Sequence, residues 1–100
     1  MKDITVEELK QKMDEGQDFI LIDVRESYER DEFHIGGEWV PLGSLPAQID
    51  DWDDWQEKEV IIYCRSGARS AAAKDFMVQN HFKNVRNLLG GILDWKAKFE

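Results

Sequence analysis

The sequence predicts an open α/β fold, in which a mostly parallel sheet has helices on both faces. Two continuous apolar runs, at residues 19–22 and 60–63, are short and rich in residues that favour strands. Strands buried on both faces of a parallel sheet have this pattern, without alternation of apolar and polar residues. Helical patterns lie between and around the two runs, and this alternation favours parallel pairing through helical connections. The length of 100 residues indicates a single domain over residues 1–100.

The first predicted helix lies close to the N-terminus. Residues 5–8 have the spacing of a capping box, in which a threonine and a glutamate three positions later bond each other's backbone N–H groups. Val6, Leu9 and Met13 then fall on one apolar stripe, and Gly16 is typical of the residue that ends a helix. The pattern therefore predicts an amphipathic helix between these two signals.

Two helices are predicted in the middle of the chain. The first covers residues 45–52 and has Pro46 in its first turn, where proline is tolerated because that N–H has no helical partner. The second covers residues 70–80, and its small alanines would let it approach a sheet closely. One face of this helix is composed of Ala72, Ala73, Phe76 and Met77.

The remaining elements are weaker strands and a last helix. Strands are expected at residues 38–40 and 85–87, which contain β-branched or aromatic residues between turn signals. The last helix is predicted to begin at Gly91 and to bury Ile92 and Trp95. Together with the two apolar runs, these elements complete the alternation of strands and helices.

Composition and charge argue against several classes of function. Thirteen basic and twenty-one acidic side chains give a net charge of −8, which disfavours binding to nucleic acid or to an anionic membrane. No apolar run approaches the roughly 20 residues of a spanning helix, and no signal-peptide hydrophobic region is present, so we expect a cytoplasmic protein.

The acidic surface that this composition implies favours a monomer or a weak dimer. One cysteine and two separated histidines predict neither a disulfide nor a metal site, and no cofactor is expected.

The acidic residues are concentrated in one segment. Residues 50–59 contain six acidic side chains and one lysine, which accounts for −5 of the net charge. A solvated surface connector is the interpretation that such a run favours. The alternative is a docking patch for a basic partner.

The segment after the second apolar run contains the candidate chemistry. Ligands of open parallel sheets bind at the carboxyl ends of the strands, and Cys64, the only cysteine, directly follows Tyr63. Gly67 lets the loop curl so that successive N–H groups point to one centre, and the start of a helix adds unpaired N–H groups. Arg65 and Arg69 add positive charge. A thiol in this setting is expected to have a lowered pKa and to act as a nucleophile toward a bound anion.

Cys64 also has a simpler interpretation, as a small buried residue at the end of a strand, since free cysteine is frequently buried. Two arginines, a glycine and a helix start within six residues favour the reactive centre instead. Cys64 is therefore the candidate catalytic residue. The candidate substrate-binding residues are Arg65, Ser66, Gly67, Ala68, Arg69 and Ser70.

The loop and several other segments resemble a known family, the rhodanese-like sulfurtransferases, and in particular their small single-domain members. Residues 63–71 match the active-site loop of that family, and residues 21–26 its early strand-end motif. Its remaining blocks are similar to residues 28–30, 33–37, 40–42 and 89–92 and to Trp95. One departure is outside the catalytic loop, where Gly36 and Glu38 stand in place of the usual proline and alanine. This departure bears on the rigidity of that segment and not on the chemistry.

The resemblance implies a five-stranded, mostly parallel sheet and sulfur transfer in two stages. Cys64 would take the outer sulfur of a small anionic donor such as thiosulfate and hold it as a persulfide. Cyanide, a low-molecular-weight thiol or a redox or sulfur-relay protein would then accept the sulfur. Arg69 is expected to orient the donor's sulfonate and Arg65 to face solvent at the mouth of the pocket. Asp23 and Arg25 are expected to form a structural pair that supports the loop.

Other functions remain open beside this one. A cysteine-dependent phosphatase uses a similar strand, loop and helix, but resembles this chain less, because four residues here separate Cys64 from Arg69 where tyrosine phosphatases have five. No aspartate-bearing loop that could protonate a leaving alkoxide is evident. A sulfur carrier that accepts persulfide sulfur from a partner protein would use the same residues as an enzyme. A non-catalytic binding module is disfavoured because the cysteine is present.

Overall fold

Four parallel strands form the centre of the molecule. In the computed structural model, which describes residues 2–100, the sheet has the order β2-β1-β3-β4, and each neighbouring pair is parallel. The strands are β1 (Ile20–Asp23), β2 (Glu38–Trp39), β3 (Glu59–Tyr63) and β4 (Asn84–Asn87). All four lie within a residue or two of their predicted positions. The predicted open, mostly parallel α/β fold is confirmed.

The expectation of five strands is wrong by one. Beyond β4, Ile4 forms a single parallel bridge with Leu88, in which the Ile4 N–H donates to the carbonyl of Asn87 and the Leu89 N–H donates to the carbonyl of Ile4. The pairing cannot continue because Thr5 is already the N-cap of the first helix. A fifth strand is therefore reduced to one bridged residue at this edge.

Residues 2–100 contain five α-helices. They are α1 (Val6–Asp14), α2 (Ser27–Glu32), α3 (Leu45–Gln48), α4 (Ala68–Gln79) and α5 (Gly91–Phe99). Of these, α1, α3, α4 and α5 contribute buried apolar residues to the cores. Two 3₁₀ turns, Leu42–Ser44 and Ile49–Trp55, flank α3. The predicted helix over residues 45–52 is thus α-helical only in its first four residues; it continues as a 3₁₀ turn from Ile49, and the backbone leaves helical angles at Trp52. None of the helices in residues 2–100 is long and apolar enough to cross a membrane.

Alternation along the strands sends neighbouring side chains to opposite faces and so builds two cores. Leu21, Ile61 and Tyr63 pack with apolar residues of α1 and α5 on one face. The other face, which includes Ile62 and Cys64, packs with apolar residues of α3 and α4. The sheet is therefore buried on both sides, which explains why its central strands are continuously apolar.

The helix patterns are confirmed with two exceptions. Thr5 forms the predicted capping box with Glu8, and Ile92 and Trp95 are buried as expected. Met13 is exposed because it borders an open groove beside Phe19 and does not reach the core. Ala72 is also exposed. Residues 70, 73 and 77 of α4 face the sheet, and Ala72 lies about 100° around the helix from residue 73.

The acidic segment at residues 50–59 lies largely in solvent. Five of its six acidic side chains are exposed, namely Asp50, Asp51, Asp53, Asp54 and Glu57. Glu59, which begins β3, is half-buried and forms ion pairs with Lys12 and Arg86. The exposure of the segment fits a solvated connector and fits a docking patch equally well, so both interpretations stay predictions.

Candidate active site

The sulfur of Cys64 lies at the carboxyl end of β3, under the loop that leads into α4. The residue is buried, with an exposed fraction of 1%. Sγ accepts a hydrogen bond from the N–H of Gly67 at 3.1 Å and from the N–H of Ser70 at 3.4 Å. Its third contact, at 3.3 Å, is with the hydroxyl of Ser70. Three polar groups thus surround one buried sulfur.

These contacts favour the ionised form of the thiol. Burial acts to raise the pKa of Cys64, because it penalises a charged sulfur. The hydrogen bonds from the hydroxyl and N–H of Ser70 and from the N–H groups of Gly67 and Ser66 act in the opposite direction and outweigh it. The pKa of Cys64 is therefore lower than that of an ordinary cysteine, as the sequence predicts.

Gly67 makes the turn that directs these N–H groups inward. It is the N-cap residue of α4 and has a φ of 110°, in the left-handed region that a side chain strongly disfavours. The chain can therefore leave β3 at Cys64 and enter α4 at Ala68 within four residues. As a result, the N–H of Gly67 and, from the first turn of α4, the N–H of Ser70 point to the sulfur.

The opposite side of the loop is bound to the start of α5. The N–H groups of Ile92 and Leu93 donate to the carbonyls of Cys64 and Arg65, both at 3.0 Å. A Cβ at Gly91 would lie 2.5 Å from the carbonyl oxygen of Cys64 and 2.6 Å from that of Arg65, so only glycine permits this approach. With its carbonyls held by α5, the loop is left with its N–H groups directed toward Sγ. This role of α5 was not predicted from the sequence, although the pair Gly90-Gly91 was a visible signal.

A second residue that sequence reasoning missed is Asn87, at the end of β4. Its side chain is buried between the loop and α4, where Nδ2 donates to the carbonyl of Gly67 at 3.2 Å and Oδ1 accepts from the hydroxyl of Ser70. The N–H of Asn87 is bound by the carboxylate of Asp3 at 3.0 Å. Parallel pairing of β3 and β4 brings the ends of both strands to one edge of the sheet, and this rule could have drawn attention to Asn87.

The other predicted substrate-binding residues differ in their surroundings. Arg69 is half-buried and forms a two-point ion pair with Glu29 of α2, in which Nη1–Oε1 and Nη2–Oε2 are 2.7 and 2.8 Å. This hydrogen-bonded pair lowers the pKa of Glu29 to about 2. Ser66 and Ala68 are exposed. Arg65 is exposed and lines a cleft of about 140 Å³, together with Phe33, Leu93 and Lys96 among others.

Asp23 and Arg25 form a buried ion pair, in which both carboxylate oxygens of Asp23 accept from the guanidinium at 3.0 Å. Arg25 also donates to the carbonyl of Phe33 at 2.7 Å and lies over the ring of Tyr63. The pair thus connects the segment after α2 with the residue that precedes Cys64.

The fold and this site define a class: α/β proteins that hold a buried cysteine under the backbone N–H groups of a short strand-to-helix loop. A family model, the rhodanese-like domain, matches residues 5–98. The chain therefore belongs to the rhodanese-like family.

Its relatives include enzymes and a protein named as a carrier. It is 32% identical over 96 residues to a sulfurtransferase of Allochromatium vinosum, covering 95% of this chain and 88% of that protein. It is 35% identical over 99 residues to YrkF of Bacillus subtilis, a protein named for a sulfur-carrier role, covering 98% of this chain and 52% of YrkF. A rhodanese-like domain protein of Staphylococcus aureus has a similar crystal structure, with a TM-score of 0.85, 28% identity, and coverage of 95% of this chain and 91% of that one. The comparisons support a rhodanese-like sulfurtransferase or sulfur carrier.

Proposed function

We propose that this protein transfers sulfane sulfur from a small anionic donor such as thiosulfate to a thiophilic acceptor, through a persulfide on Cys64. The observation that supports this proposal is the set of N–H groups directed at a buried sulfur whose pKa is lowered. Such groups can stabilise a thiolate and, after one sulfur has been added, the terminal charge of a persulfide.

In the first stage, the thiolate of Cys64 attacks the outer sulfur of thiosulfate. A sulfur–sulfur bond forms to Sγ while the bond between the two sulfurs of the donor breaks, and sulfite leaves with the electron pair. Sulfite is a stable leaving anion, so this stage needs no general acid. The negative charge then resides on the outer sulfur of the persulfide, near the N–H groups of the loop.

In the second stage, a nucleophilic acceptor attacks the outer sulfur of the persulfide. Cyanide becomes thiocyanate, or a thiol becomes a persulfide, and Cys64 leaves as the thiolate. The same hydrogen bonds that lower the pKa of Cys64 stabilise it as a leaving group. Each turnover returns the enzyme to its starting state without a cofactor.

Positive charge near the loop is available for the donor. The two bonds to Glu29 use two of the five N–H donors on the Arg69 guanidinium, so three remain for a sulfonate. Arg65 is exposed at the cleft beside the loop and can attract an anion to its mouth. We propose that Arg69 orients the donor and that Arg65 contributes mainly to its approach.

The test of this proposal is the intermediate, since the chain has one cysteine and a persulfide cannot be resolved as an internal disulfide. Protein treated with thiosulfate and desalted is expected to gain the mass of one sulfur atom and to lose it on addition of cyanide. Prior alkylation of Cys64, or the variant Cys64→Ser, should abolish both the mass gain and turnover, because a hydroxyl is a far weaker nucleophile. Turnover without any trapped sulfur adduct would contradict the covalent mechanism.

A sulfur-carrier role is the second candidate, and the similarity to YrkF favours considering it. A carrier would be loaded by a protein donor and would turn over slowly with thiosulfate, although its persulfide would form and be discharged. Steady-state rates with thiosulfate and a panel of acceptors, set against single-turnover discharge of the loaded protein, distinguish the two roles. A cytoplasmic location stays a prediction from the sequence.

A further inference from the structure

The hydroxyl of Ser70 lies within hydrogen-bond distance of three acceptors but has only one proton to donate. Ser70 is fully buried, so water does not supply a further partner. Its Oγ is 3.3 Å from Sγ of Cys64 and 3.2 Å from the carbonyl of Gly67, and its shortest contact is with Oδ1 of Asn87. The acceptor that receives the proton therefore depends on which of these groups carries charge.

The orientation of the Asn87 amide is determined by its surroundings. Nδ2 donates to the carbonyl of Gly67, so a reversed amide would place Oδ1 against another oxygen. The backbone N–H of Asn87 is held by Asp3, whose carboxylate also pairs with Lys74 of α4. Oδ1 is consequently held as an acceptor toward Ser70.

We infer that Asn87 is a positioning residue: its Oδ1 accepts the hydrogen bond of the Ser70 hydroxyl while Cys64 is uncharged, and the hydroxyl donates to Sγ instead when Cys64 is a thiolate. In the uncharged state, the S–H of Cys64 donates to Oγ of Ser70, and the O–H of Ser70 donates to Oδ1 of Asn87. On ionisation, the thiol proton leaves to a base in solvent and the Ser70 hydroxyl rotates toward Sγ. No proton is transferred to Asn87.

This arrangement makes Asn87 a competitor of the thiolate for one hydrogen bond. Formation of a persulfide removes the charge from Sγ, so the hydroxyl of Ser70 again donates to Oδ1 of Asn87. The regained hydrogen bond favours persulfide formation. The inference depends on the proposed function only for the persulfide. The acid–base part concerns the free protein and is tested without any sulfur donor.

Other charged groups also act on Cys64 and must remain constant in the test. Arg69 of α4 interacts with the ionised sulfur and is paired with Glu29, while Arg65 lies on the exposed side of the loop. On the side of Asn87, Asp3 binds its backbone N–H and pairs with Lys74. None of these five residues is changed in the variants below.

The thiolate fraction is measured from its ultraviolet absorbance and from the rate of alkylation across pH, and both report on Cys64 alone because the chain has no other cysteine. Ser70→Ala should reduce the thiolate fraction on the acidic side of the titration by about tenfold or more, since a hydrogen bond to a charged sulfur is lost. Asn87→Ala should increase that fraction by about two- to tenfold, because Ser70 can then donate to Sγ without competition. In the Ser70→Ala background, Asn87→Ala should have no further effect.

Three further measurements act as controls. Ser70→Thr retains the hydroxyl and should restore the behaviour of the wild-type protein. Asn80→Ala removes another asparagine bond to a carbonyl of the same helix, that of Phe76, and should leave Cys64 unchanged. In the wild-type protein, the side-chain amide resonance of Asn87 should shift as Cys64 ionises, and this measurement does not depend on any variant being folded.

The direction in which Asn87→Ala changes the thiolate fraction distinguishes a positioning role of Asn87 from a purely structural one. If Asn87 only supported the loop, Asn87→Ala would reduce the thiolate fraction, as Ser70→Ala does. A decrease, an unchanged fraction, or an effect that persists without the Ser70 hydroxyl would each overturn the inference. An Asn87 amide resonance that does not follow the titration of Cys64 would also overturn it. Absence of a sulfur adduct with every donor would contradict the proposed function and leave these results standing.

Discussion

Arg69 and Glu29, forty residues apart in the sequence, meet in a two-point ion pair that joins the first turn of α4 to α2. The bond holds the helix start beside the sulfur of Cys64 and also moderates the positive charge that the loop presents to solvent. Glu29 therefore influences a site to which it contributes no direct contact with the cysteine sulfur.

The ion pair predicts a dependence of stability on pH. The pKa of Glu29 falls from 4.5 to about 2 on folding, so its contribution is fully present above pH 4.5 and is lost as the pH falls toward 2. Glu29→Gln should reduce the free energy of unfolding near neutral pH by about 1–2 kcal/mol, less than the full shift implies because Arg69 is one-third exposed. Urea unfolding at a series of pH values should show the difference from wild type shrinking with acid. Glu32→Gln, an exposed change at the end of the same helix, is the control, and an equal loss there would contradict this prediction.

The two arginines of the loop are predicted to differ in their effect on the donor. Arg69→Ala should weaken productive binding of thiosulfate by roughly 1.5–3 kcal/mol, as expected when a charge-assisted hydrogen bond is lost. Arg65→Ala should cost less, because its side chain is exposed and screened by solvent. Values of kcat/KM for thiosulfate measure both effects. The reverse order would mean that Arg65 orients the donor.

Gly91 offers a direct test of the support that α5 gives to the loop. Gly91→Ala places a Cβ against the carbonyls of Cys64 and Arg65 at a φ of 54°, so we expect a loss of roughly 1–3 kcal/mol in stability and slower persulfide formation. Gly43→Ala is a matched control, because a Cβ at Gly43 meets no atom within 4 Å and its φ is not positive. Unfolding in urea and the mass gain with thiosulfate should separate the two variants. Equal behaviour would show that the loop can move away from α5 without consequence.

The length of the loop predicts its choice of reaction. With four residues between Cys64 and Arg69, the wild-type protein should hydrolyse an aryl phosphate at a negligible rate compared with sulfur transfer. A glycine inserted after Gly67 should depress sulfur transfer, because it displaces the N–H groups from Sγ. Phosphatase turnover by the wild type that rivals its sulfur transfer would instead favour the phosphatase interpretation.

The features that could be predicted from the sequence are those encoded locally. The apolar runs of β1 and β3, the capping box of α1 and the order of cysteine, glycine and helix start are each contained in fewer than ten residues. The amphipathic pattern of α1 nevertheless predicted a stripe from which Met13 departs, because periodicity does not reveal where a neighbouring surface ends.

The features that could not be predicted depend on contacts between distant segments. Asn87 and Ser70 are 17 residues apart, and the bond between them exists only because β4 pairs with β3. The ion pair of Arg69 with Glu29 likewise depends on how α2 packs near α4. Neither residue pattern nor spacing contains this information, since several packings of the same elements would satisfy both.

The attachment of the active-site loop to α5 has a consequence for how the protein is made. A nascent chain that has reached residue 80 already contains Cys64, Ser70 and the whole of α4, but the N–H groups of residues 92 and 93 that bind the loop carbonyls have not been synthesised. Until they are, no group of α5 holds the carbonyls of Cys64 and Arg65, and the loop is attached through α4 alone. We therefore expect the pKa of Cys64 to reach its lowered value only after α5 has been synthesised, and a chain that ends before α5 to present a thiol closer to an ordinary cysteine.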